Sequence, residues 1–552
     1  MLNAYPRPHM RRDNWINLNG PWDFAVSDGP APAAYPETIT VPYCMESPLS
    51  GIGRAHEEHT VMWYRRAFAL PEGYQHGRVL LHCGGVDQEA RVYINGLDAG
   101  FWDFAHDTLD ITAYARSENE IVIAVQDHLS SPVIPYGKQS LRRGGMWYTP
   151  VSGIWQTVWI ECVPEYYIQE IGITPRGDRV EISTPGIGSG TVTLSDGTSF
   201  RLDEGKAVIA PQNPVYWTPE NPHLYDFDLT VGKDTVHSYF ALRAIDIRPV
   251  NGIPRLCLNG KPYFFHGLLD QGYWPEGIYT PPDDGAYARD IQAAKALGFN
   301  TLRMHVKVEA ESFYYACDQL GIVVFQDMVN NGPYSFLRDT ALPTIGFQRR
   351  KDQKKHPNAA QRAKFLEYME ATVQRLRSHP CIVYWTIFNE GWGQFDSTGM
   401  YEKLRALDPT RIIDSASGWF RGGKTDVESP HVYFHPFRIK KSPLPVVLSE
   451  FGGYAWKIPA HSFNQDKSYG YKQFTDRESL MSGIEALYRS QILPAVQKGL
   501  CGCIYTQLTD IEDETNGLIT YDRAFIKADE GRMQALAQEM LGQLHTIWRL
   551  ND

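Results

Sequence analysis

Beyond Pro249 the chain alternates short, strongly apolar runs with long segments of helical periodicity. Repeated units of this kind, spread over about 300 residues, are typical of a (β/α)8 barrel, which carries its active site at the C-terminal ends of the strands. We therefore predict that residues 250–552 form such a barrel. Its eight candidate strands read PYFFHGLL, TLRMHV, IVVFQDMV, CIVYWTIFN, RIIDSAS, DVESPHVYF, PVVLSEF and CGCIYTQL.

The part of the chain before the barrel has a different pattern, in which short runs of alternating apolar and polar residues are separated by turn residues. Residues 1–163 are predicted to form an all-β sandwich. Within it, Asn95-Gly96 predicts a tight hairpin, because a type I′ turn needs positive φ at both central residues. Residues 164–249, about 85 in number, have the size of a second, immunoglobulin-like sandwich. The sequence thus predicts a multidomain protein with two sandwiches and a barrel.

Charge and composition exclude several classes of function. The 53 basic and 64 acidic residues give a net charge of −11, which opposes binding to a nucleic acid backbone. No apolar run approaches the ~18 residues of a membrane span, and no signal peptide is recognisable, so we expect a cytoplasmic protein with no membrane partner. Eight scattered cysteines without paired zinc-ligand spacing predict reduced core thiols rather than a metal site.

Two carboxylates stand at the ends of candidate barrel strands: Glu390 closes the fourth and Glu450 closes the seventh. Strands four and seven face each other across a barrel mouth. Glycoside hydrolysis uses two such carboxyl groups, about 5 to 5.5 Å apart if configuration is retained. Alternatively, each Glu is a capped or salt-bridged strand end, although two that face each other favour a function. From these residues alone, either one could be the acid.

Six segments of the chain belong together: LNGPWDF, ARVYINGLDAG, GFNTLRMH, FNEGWGQFD, LSEFGG and YTQLTDIEDETNGLITYDR. Together they resemble glycoside hydrolase family 2, the β-galactosidase and β-glucuronidase family, over nearly the whole chain. The resemblance implies a jelly-roll sugar-binding domain, an immunoglobulin-like domain and a catalytic barrel. Hydrolysis by two carboxylates requires no metal and the sequence has no EF-hand-like motif, so we expect no cofactor or metal. The resemblance also implies an oligosaccharide or glycoside substrate and a homo-oligomer, a dimer or tetramer.

The resemblance assigns roles to residues around the carboxylates. It implies that Glu390 is the acid/base and Glu450 the nucleophile, while Asn389 donates to the sugar 2-OH. Arg303 resembles the arginine that orients the nucleophile, although a structural ion pair is an alternative.

The family's residues after the sixth strand have counterparts in His431 and Tyr433. The resemblance implies that Tyr433 hydrogen-bonds the nucleophile. Aromatic packing is the alternative for this side chain.

Five further residues are candidates for sugar binding. His305 departs from the commoner Arg-x-x-His spacing and is either a ligand of a sugar hydroxyl or a core histidine. Asp270 follows the first strand and could bind hydroxyls beside an aromatic face. Trp392 and Tyr505 belong to runs that end at the barrel mouth, as does Gln507, although single aromatic residues are more often part of the core.

The identity of the sugar is predicted from the loop after the last strand. β-Glucuronidases of the family have an Asn-x-Lys there, whereas this chain reads Glu514-Thr515-Asn516-Gly517. A negative Glu514 repels a uronate unless it points elsewhere, so we predict β-galactosides ahead of β-glucuronides, arabinosides, galacturonides and mannosides. If a uronide is cleaved, another cation must replace the lysine, such as Lys307 or one of residues 349–355.

Two alternatives from other classes remain open. A non-catalytic carbohydrate-binding protein built from the same sandwiches would not need both carboxylates. An endo-acting glycanase would have an open groove, whereas the sandwiches and long barrel loops favour exo action. The basic segment FQRRKDQKKH at 347–356 is either a solvated surface, a lid, or a contact with an acidic substrate or a second subunit.

Overall fold

The fold is taken from a computed structural model of the chain. It describes residues 2–344, 346–347, 352–353 and 355–549. Most of the basic part of segment 347–356, residues 348–351 and 354, lies outside the described residues, so its interpretation stays open. No described helix has the length and apolar character needed to cross a membrane.

The first region packs a six-stranded and a four-stranded antiparallel sheet around one core. In strand order, the six-stranded sheet comprises Glu37–Val41, Gly20–Ser27, Val61–Ala69, Glu118–Gln126, Glu89–Ile94 and Leu97–Trp102. The four-stranded sheet comprises Trp15–Asn17, Val158–Val163, Arg78–Cys83 and Thr108–Asp110. A short pair, Val86–Asp87 with Gly153–Ile154, adds to this region.

Side-chain alternation explains why these segments form half-buried strands. In Glu118–Gln126 every second residue is buried, so one face of the strand enters the core. The predicted hairpin is confirmed: Glu89–Ile94 pairs with Leu97–Trp102 through Asn95 and Gly96, which have φ of 52° and 78°.

The second region forms seven antiparallel strands with a core of their own. Their order is Gly172–Arg176, Arg179–Ser183, Lys206–Ile209, Ser199–Asp203, Ser189–Leu194, Tyr225–Val231 and Asp234–Phe240. Pairing between the third and fourth of these strands is confined to Asp203 and Lys206. The strands therefore divide into a group of three and a group of four, and both contribute to the core.

The third region contains an eight-stranded parallel sheet that holds the largest core of the described residues. In chain order, its first to eighth barrel strands are Phe265–Asp270, Thr301–Met304, Val323–Asp327, Ile382–Thr386, Ile412–Asp414, His431–Val432, Val446–Gly452 and Leu500–Thr506. Their neighbour order, 5-4-3-2-1-8-7-6, is that of a barrel opened between strands five and six. Each of the eight predicted runs overlaps one of these strands.

Helices follow most of the barrel strands, as expected for repeated βα units. The α-helices are Ala286–Ala296, Glu311–Leu320, Leu342–Thr344, Ala359–Leu376, Ser397–Leu407, Arg477–Leu487, Leu493–Val496 and Glu530–Arg549. A three-stranded sheet, Ile245–Val250, Ile253–Leu258 and Lys261–Pro262, precedes the first barrel strand. All eight cysteines are buried and unpaired, as predicted.

A buried charge cluster joins the two sandwich regions. Arg12 donates to Glu161 at 2.9 Å and, with two nitrogens, to Asp234 at 2.8 and 3.0 Å. Glu161 also accepts from Arg7 at 3.1 Å. We call Arg12, Glu161 and Asp234 the sandwich cluster.

Candidate active site

The C-terminal ends of the barrel strands bring charged side chains from different parts of the sequence together. Arg303 lies in the second strand, Asp327 ends the third, and Glu450 lies in the seventh. Glu390 follows the fourth strand by four residues, where Asn389 bridges to Ser417 after the fifth. Because parallel barrel strands end at one face, these residues meet at the barrel mouth.

The two predicted carboxylates are close neighbours. Glu390, His431 and Glu450 each offer an atom within 4.8 Å of the other two. The His431 Nδ1 atom lies 2.8 Å from Glu390 Oε1 and 3.5 Å from Glu450 Oε2. The structure thus brings the ends of strands four, six and seven together, as the sequence predicted.

Glu450 is held from both sides. Arg303 Nη1 donates to its Oε1 at 3.0 Å, and the Tyr433 hydroxyl donates to its Oε2 at 2.7 Å. The ring of Tyr433 stacks on Tyr471 with centroids 3.9 Å apart, which fixes the hydroxyl. These two donors hold both oxygens of the Glu450 carboxyl group in place.

Arg303 is the centre of this network, with 1% of its surface exposed. It donates to both Asp327 oxygens at 3.0 Å and to Asn389 Oδ1 at 2.9 Å. Burial opposes ionisation of Asp327, but the charge of Arg303 and a hydrogen bond from His305 outweigh it and lower the Asp327 pKa to about 2. The guanidinium is therefore fixed before it contacts Glu450.

Glu390 has a different environment. Burial raises its pKa, and the positive charges of Lys138, His305 and Arg303 offset only part of that rise. The residue has a φ of 52°, an unusual conformation that often marks a functional position. The next residue, Gly391, has to be a glycine, because a Cβ there would lie 1.9 Å from the Phe420 ring.

His431 is neutral, since burial lowers its pKa to about 3. Its Nε2 lies 3.5 Å from Arg303 Nη1 and 2.7 Å from Ser417 Oγ. A guanidinium can only donate, so Nε2 accepts and Nδ1 carries the proton. Nδ1 therefore donates to Glu390.

Asn389 is oriented by the same network. Its Oδ1 accepts from Arg303 Nη2 at 2.9 Å. The amide Nδ2 is left as a donor without a partner among the described residues. That orientation suits donation to a ligand.

His305 and Trp392 also lie at the mouth. His305 Nδ1 is 2.9 Å from Asp327 Oδ2, and burial lowers the histidine pKa. The Trp392 indole donates to the Gly332 carbonyl at 3.1 Å, and its ring meets Trp147 edge-on with centroids 5.1 Å apart. Whether either side chain contacts a sugar stays a prediction.

The structure does not bring Asp270 or Tyr505 to the carboxylate pair. Asp270 accepts from the Gly272 amide at 2.9 Å, and burial together with the charge of Asp290 raises its pKa to about 7. Tyr505 is fully buried and packs against Phe451. Because successive strand residues face opposite sides, Thr506, whose hydroxyl lies 2.8 Å from that of Tyr433, takes the site-facing position instead.

Sequence reasoning missed two groups of site residues. Asp327 ends the apolar run IVVFQD, so the rule that selected Glu390 would also have selected it. Lys138 and Tyr148 come from the first sandwich, and nothing in their sequence context points to the barrel. Tyr148 donates to Glu514 in the loop after the eighth strand.

Three groups among the described residues have a spacing that could hold a metal ion. One is Glu390, His431 and Glu450 itself, where a cation would lie between the two carboxylates. The others are His9, Glu311 and His379, and Asp103, His106 and Glu367. The expectation that no metal is needed stays a prediction.

Two close carboxyl groups at the C-terminal face of a parallel barrel, one held by arginine and one with a raised pKa, define the class of barrel glycoside hydrolases. Comparison with known proteins identifies the group within that class. The model for the TIM barrel domain of glycosyl hydrolases family 2 matches residues 253–435, and a second model of glycosyl hydrolases family 2 matches residues 174–243. Both matched segments thus resemble glycoside hydrolase family 2.

Relatives with known names differ in substrate. A β-galactosidase of Thermoanaerobacter pseudethanolicus is 25% identical over 410 residues, covering 68% of this chain and 51% of that protein. Human β-glucuronidase is 24% identical over 412 residues, covering 64% of this chain and 59% of that protein. The matches thus span between half and three fifths of the length of these relatives.

Solved structures share the fold over nearly the whole chain. A β-D-glucuronidase of Dictyoglomus thermophilum has a TM-score of 0.74 at 18% identity, covering 98% of this chain and 99% of its own. A β-galacturonidase of Eisenbergiella tayi bound to galacturonate has a TM-score of 0.69 at 17% identity, with the same coverage.

Proposed function

We propose that the chain is a retaining, exo-acting β-glycosidase, with Glu450 as the nucleophile and Glu390 as the acid/base. The separation of the carboxyl groups carries this proposal. Their ligand-offering oxygens lie within 4.8 Å, which suits retention, because inverting enzymes keep about 6.5 to 9.5 Å free for a water molecule.

In the first step a Glu450 oxygen attacks the anomeric carbon, and Glu390 gives its proton to the departing glycosidic oxygen. Arg303 and Tyr433 support this division, since their donated hydrogen bonds stabilise Glu450 as a carboxylate. The raised pKa of Glu390 supports its protonated form. His431 donates to Glu390 Oε1, which leaves Oε2 to carry the acid proton.

In the second step Glu390, now ionised, takes a proton from a water molecule that attacks the anomeric carbon. The bond to Glu450 breaks, and the sugar leaves with its original β configuration. Arg303 donates to Asn389 Oδ1, so the amide nitrogen of Asn389 remains available as a donor. We propose that this donor binds the sugar 2-OH, a contact that strengthens in the transition state.

Exo action is favoured by a wall that the first sandwich adds to the barrel mouth. The Tyr136 hydroxyl donates to the Gly332 carbonyl at 2.7 Å, and the Trp147 ring packs against Trp392. A wall on one side converts a groove into a pocket, which accepts a chain end rather than a chain interior.

For the sugar we propose a uronide, a β-glucuronide or β-galacturonide, in place of the β-galactoside that the sequence favoured. Relatives that bear uronidase names support this choice. The repulsion expected between Glu514 and a uronate is also weaker, because Glu514 accepts hydrogen bonds from Tyr148 and, at 3.0 Å, from Gln507. Burial raises the Glu514 pKa as well, which reduces its negative charge.

A neutral β-galactoside is the second candidate. Glu514 is 4% exposed, and the charge of Glu450 contributes to its raised pKa, so it lies near the proposed nucleophile where other family members place a lysine. A carboxyl group in that position would bind the hydroxyl groups of a neutral sugar better than the carboxylate of a uronide.

The test combines a panel with stereochemistry. p-Nitrophenyl β-glycosides of glucuronic acid, galacturonic acid, galactose and glucose are assayed, with Glu450→Ala as the blank, and NMR follows the first-formed anomer. We expect the β anomer and a preference for one uronide. An α anomer as first product would contradict the double displacement, and release from internal linkages of a polysaccharide would contradict exo action.

A further inference from the structure

We propose that Lys138, contributed by the first sandwich, binds the carboxylate at C6 of a uronic acid in the barrel site. The inference rests on the function proposed above and names the group that would replace the family's missing lysine. It assigns sugar recognition to a domain other than the barrel.

The loop that carries Lys138 is fastened to the barrel mouth on several sides. Tyr136 N and Gly137 N both donate to the Asn330 carbonyl, at 3.1 and 3.3 Å. Gly137 has a φ of 61°, and a Cβ there would lie 2.7 Å from the carbonyl oxygen of Val306. Glycine thus allows the loop to approach the residue that follows His305.

Contacts on the other side of the loop also place Lys138 at the barrel mouth. Lys138 O accepts from Tyr148 N at 3.0 Å, and Tyr148 reaches Glu514 after the eighth strand. Trp147, whose ring centroid lies 5.9 Å from Lys138 Nζ, packs on Trp392, two residues beyond Glu390. Lys138 is therefore enclosed by the loops that follow strands two, four and eight.

Electrostatics agree with that position. The positive charge of Lys138 lowers the pKa of Glu390, of Glu514 and of His305, one residue from each of those three loops. A single cation that acts on all three lies among them. An anionic sugar that occupies the mouth would meet the same field.

Lys138 also lacks the partner that a buried cation usually has. It is 8% exposed, yet within the described part of the chain its ammonium group has no carboxylate within 4.0 Å and donates no hydrogen bond. A lysine this buried is seldom left unpaired. A carboxylate supplied by the substrate would complete it.

Three other cations around the mouth that belong to the described residues are already engaged. Arg303 is paired with Asp327 and Glu450. Lys307, one of the replacements that the sequence suggested, donates to Glu309 and to the carbonyls of Gly272 and Tyr279. Arg143, from the same loop as Lys138, lies 3.4 Å from Glu512.

The experiment uses two pairs of p-nitrophenyl sugars that differ only at C6: β-glucuronide with β-glucoside, and β-galacturonide with β-galactoside. Lys138→Met is expected to lower kcat/KM for the uronide by roughly 10- to 100-fold, the range for a hydrogen bond to a charged group. The C6-hydroxymethyl partner should change by less than about 3-fold. Lys138→Arg keeps the charge and should retain more of the uronide preference.

Arg143→Gln is the matched control, because it removes a paired cation from the same loop. It should leave the uronide-to-neutral ratio of kcat/KM unchanged. Activity of Lys138→Met on the neutral sugar shows that the variant folds. If it does not fold, Lys138→Gln takes its place in the same comparison.

A second measurement separates this inference from the proposed function. Calorimetry compares the binding of free glucuronate and galacturonate to the full chain carrying Glu450→Gln, with and without Lys138→Met. Weaker uronate binding without Lys138 supports the inference even if no panel sugar is hydrolysed. If the wild type hydrolyses uronides but Lys138→Met leaves the uronide-to-neutral ratio of kcat/KM unchanged, the inference is wrong and the proposed function stands. If the wild type prefers the glucoside and the galactoside to the matching uronides, the inference is also wrong, and Lys138 would serve to offset the charge of Glu514.

Discussion

Among the residues that the structure describes, two buried arginines each bind two carboxylates. In the sandwich cluster, Arg12 pairs with Glu161 and Asp234. At the barrel mouth, Arg303 pairs with Glu450 and Asp327. The two clusters have nearly the same composition and burial, so an ion pair at a buried arginine does not by itself mark an active site.

The difference lies in what surrounds the carboxylates. Glu161 is fully buried and accepts from Arg7, Arg12, Tyr5 and Trp159, so its oxygens are saturated by the protein. Glu450 faces a second carboxyl group, Glu390, whose pKa is raised rather than lowered. A carboxyl group with a raised pKa close to a second carboxyl group can exchange a proton with a substrate, whereas a saturated cluster can only hold the fold together.

Removal of Glu450 gives the largest expected effect. Glu450→Ala should lower kcat/KM by about 10⁴-fold or more, because no other group can form the covalent bond. Arg303 keeps Asp327 as a partner, so the variant should fold, which circular dichroism can check. Turnover near the wild-type rate would remove Glu450 from the role of nucleophile.

Removal of Glu390 should cost less and depend on the leaving group. Glu390→Ala is expected to lose about 10²- to 10⁴-fold in rate on glycosides with poor leaving groups, the usual contribution of an acid/base. Activated aryl glycosides need little protonation and should lose less. Azide should restore part of the rate and yield a β-glycosyl azide, whereas an α-azide or no rescue would contradict the assignment.

The sandwich cluster should respond in stability and not in chemistry. Glu161→Ala leaves Arg12 buried with one carboxylate fewer, and removal of one partner of a buried ion pair costs about 3 to 5 kcal/mol of free energy of unfolding. Urea denaturation should show this loss, while kcat of the remaining folded protein stays near wild type. A large drop in kcat with unchanged unfolding would show that the comparison between the two clusters is wrong.

The parts of the fold that follow from local chemistry could be predicted from the sequence. Barrel strands were recognised because apolar runs and helical periods alternate, and Glu390 and Glu450 because charge at the end of an apolar run is costly. The prediction for Tyr505 rests on a run that ends at the barrel mouth. Successive side chains of a strand point to opposite faces, however, and in the last strand Thr506 rather than Tyr505 points to the site. Lys138 could not be predicted, since its place depends on how a sandwich loop lies on the barrel.

The smallest expected effect concerns pH and links the two regions that build the site. Glu390 must be protonated to act as the acid, so activity falls as pH rises through its pKa, which burial places above the ordinary range of a carboxyl group. Lys138 lowers that pKa, so Lys138→Met should move the basic limb of kcat/KM for a neutral glycoside to higher pH.

Arg143→Gln is again the control, because its charge is paired with Glu512 and is not among the charges that act on Glu390. It should leave the basic limb where it is in the wild type. A Lys138→Met profile that coincides with the wild-type profile, or moves to lower pH, would show that the sandwich loop does not set the protonation of the barrel acid. The sandwich would then contribute only a wall to the pocket.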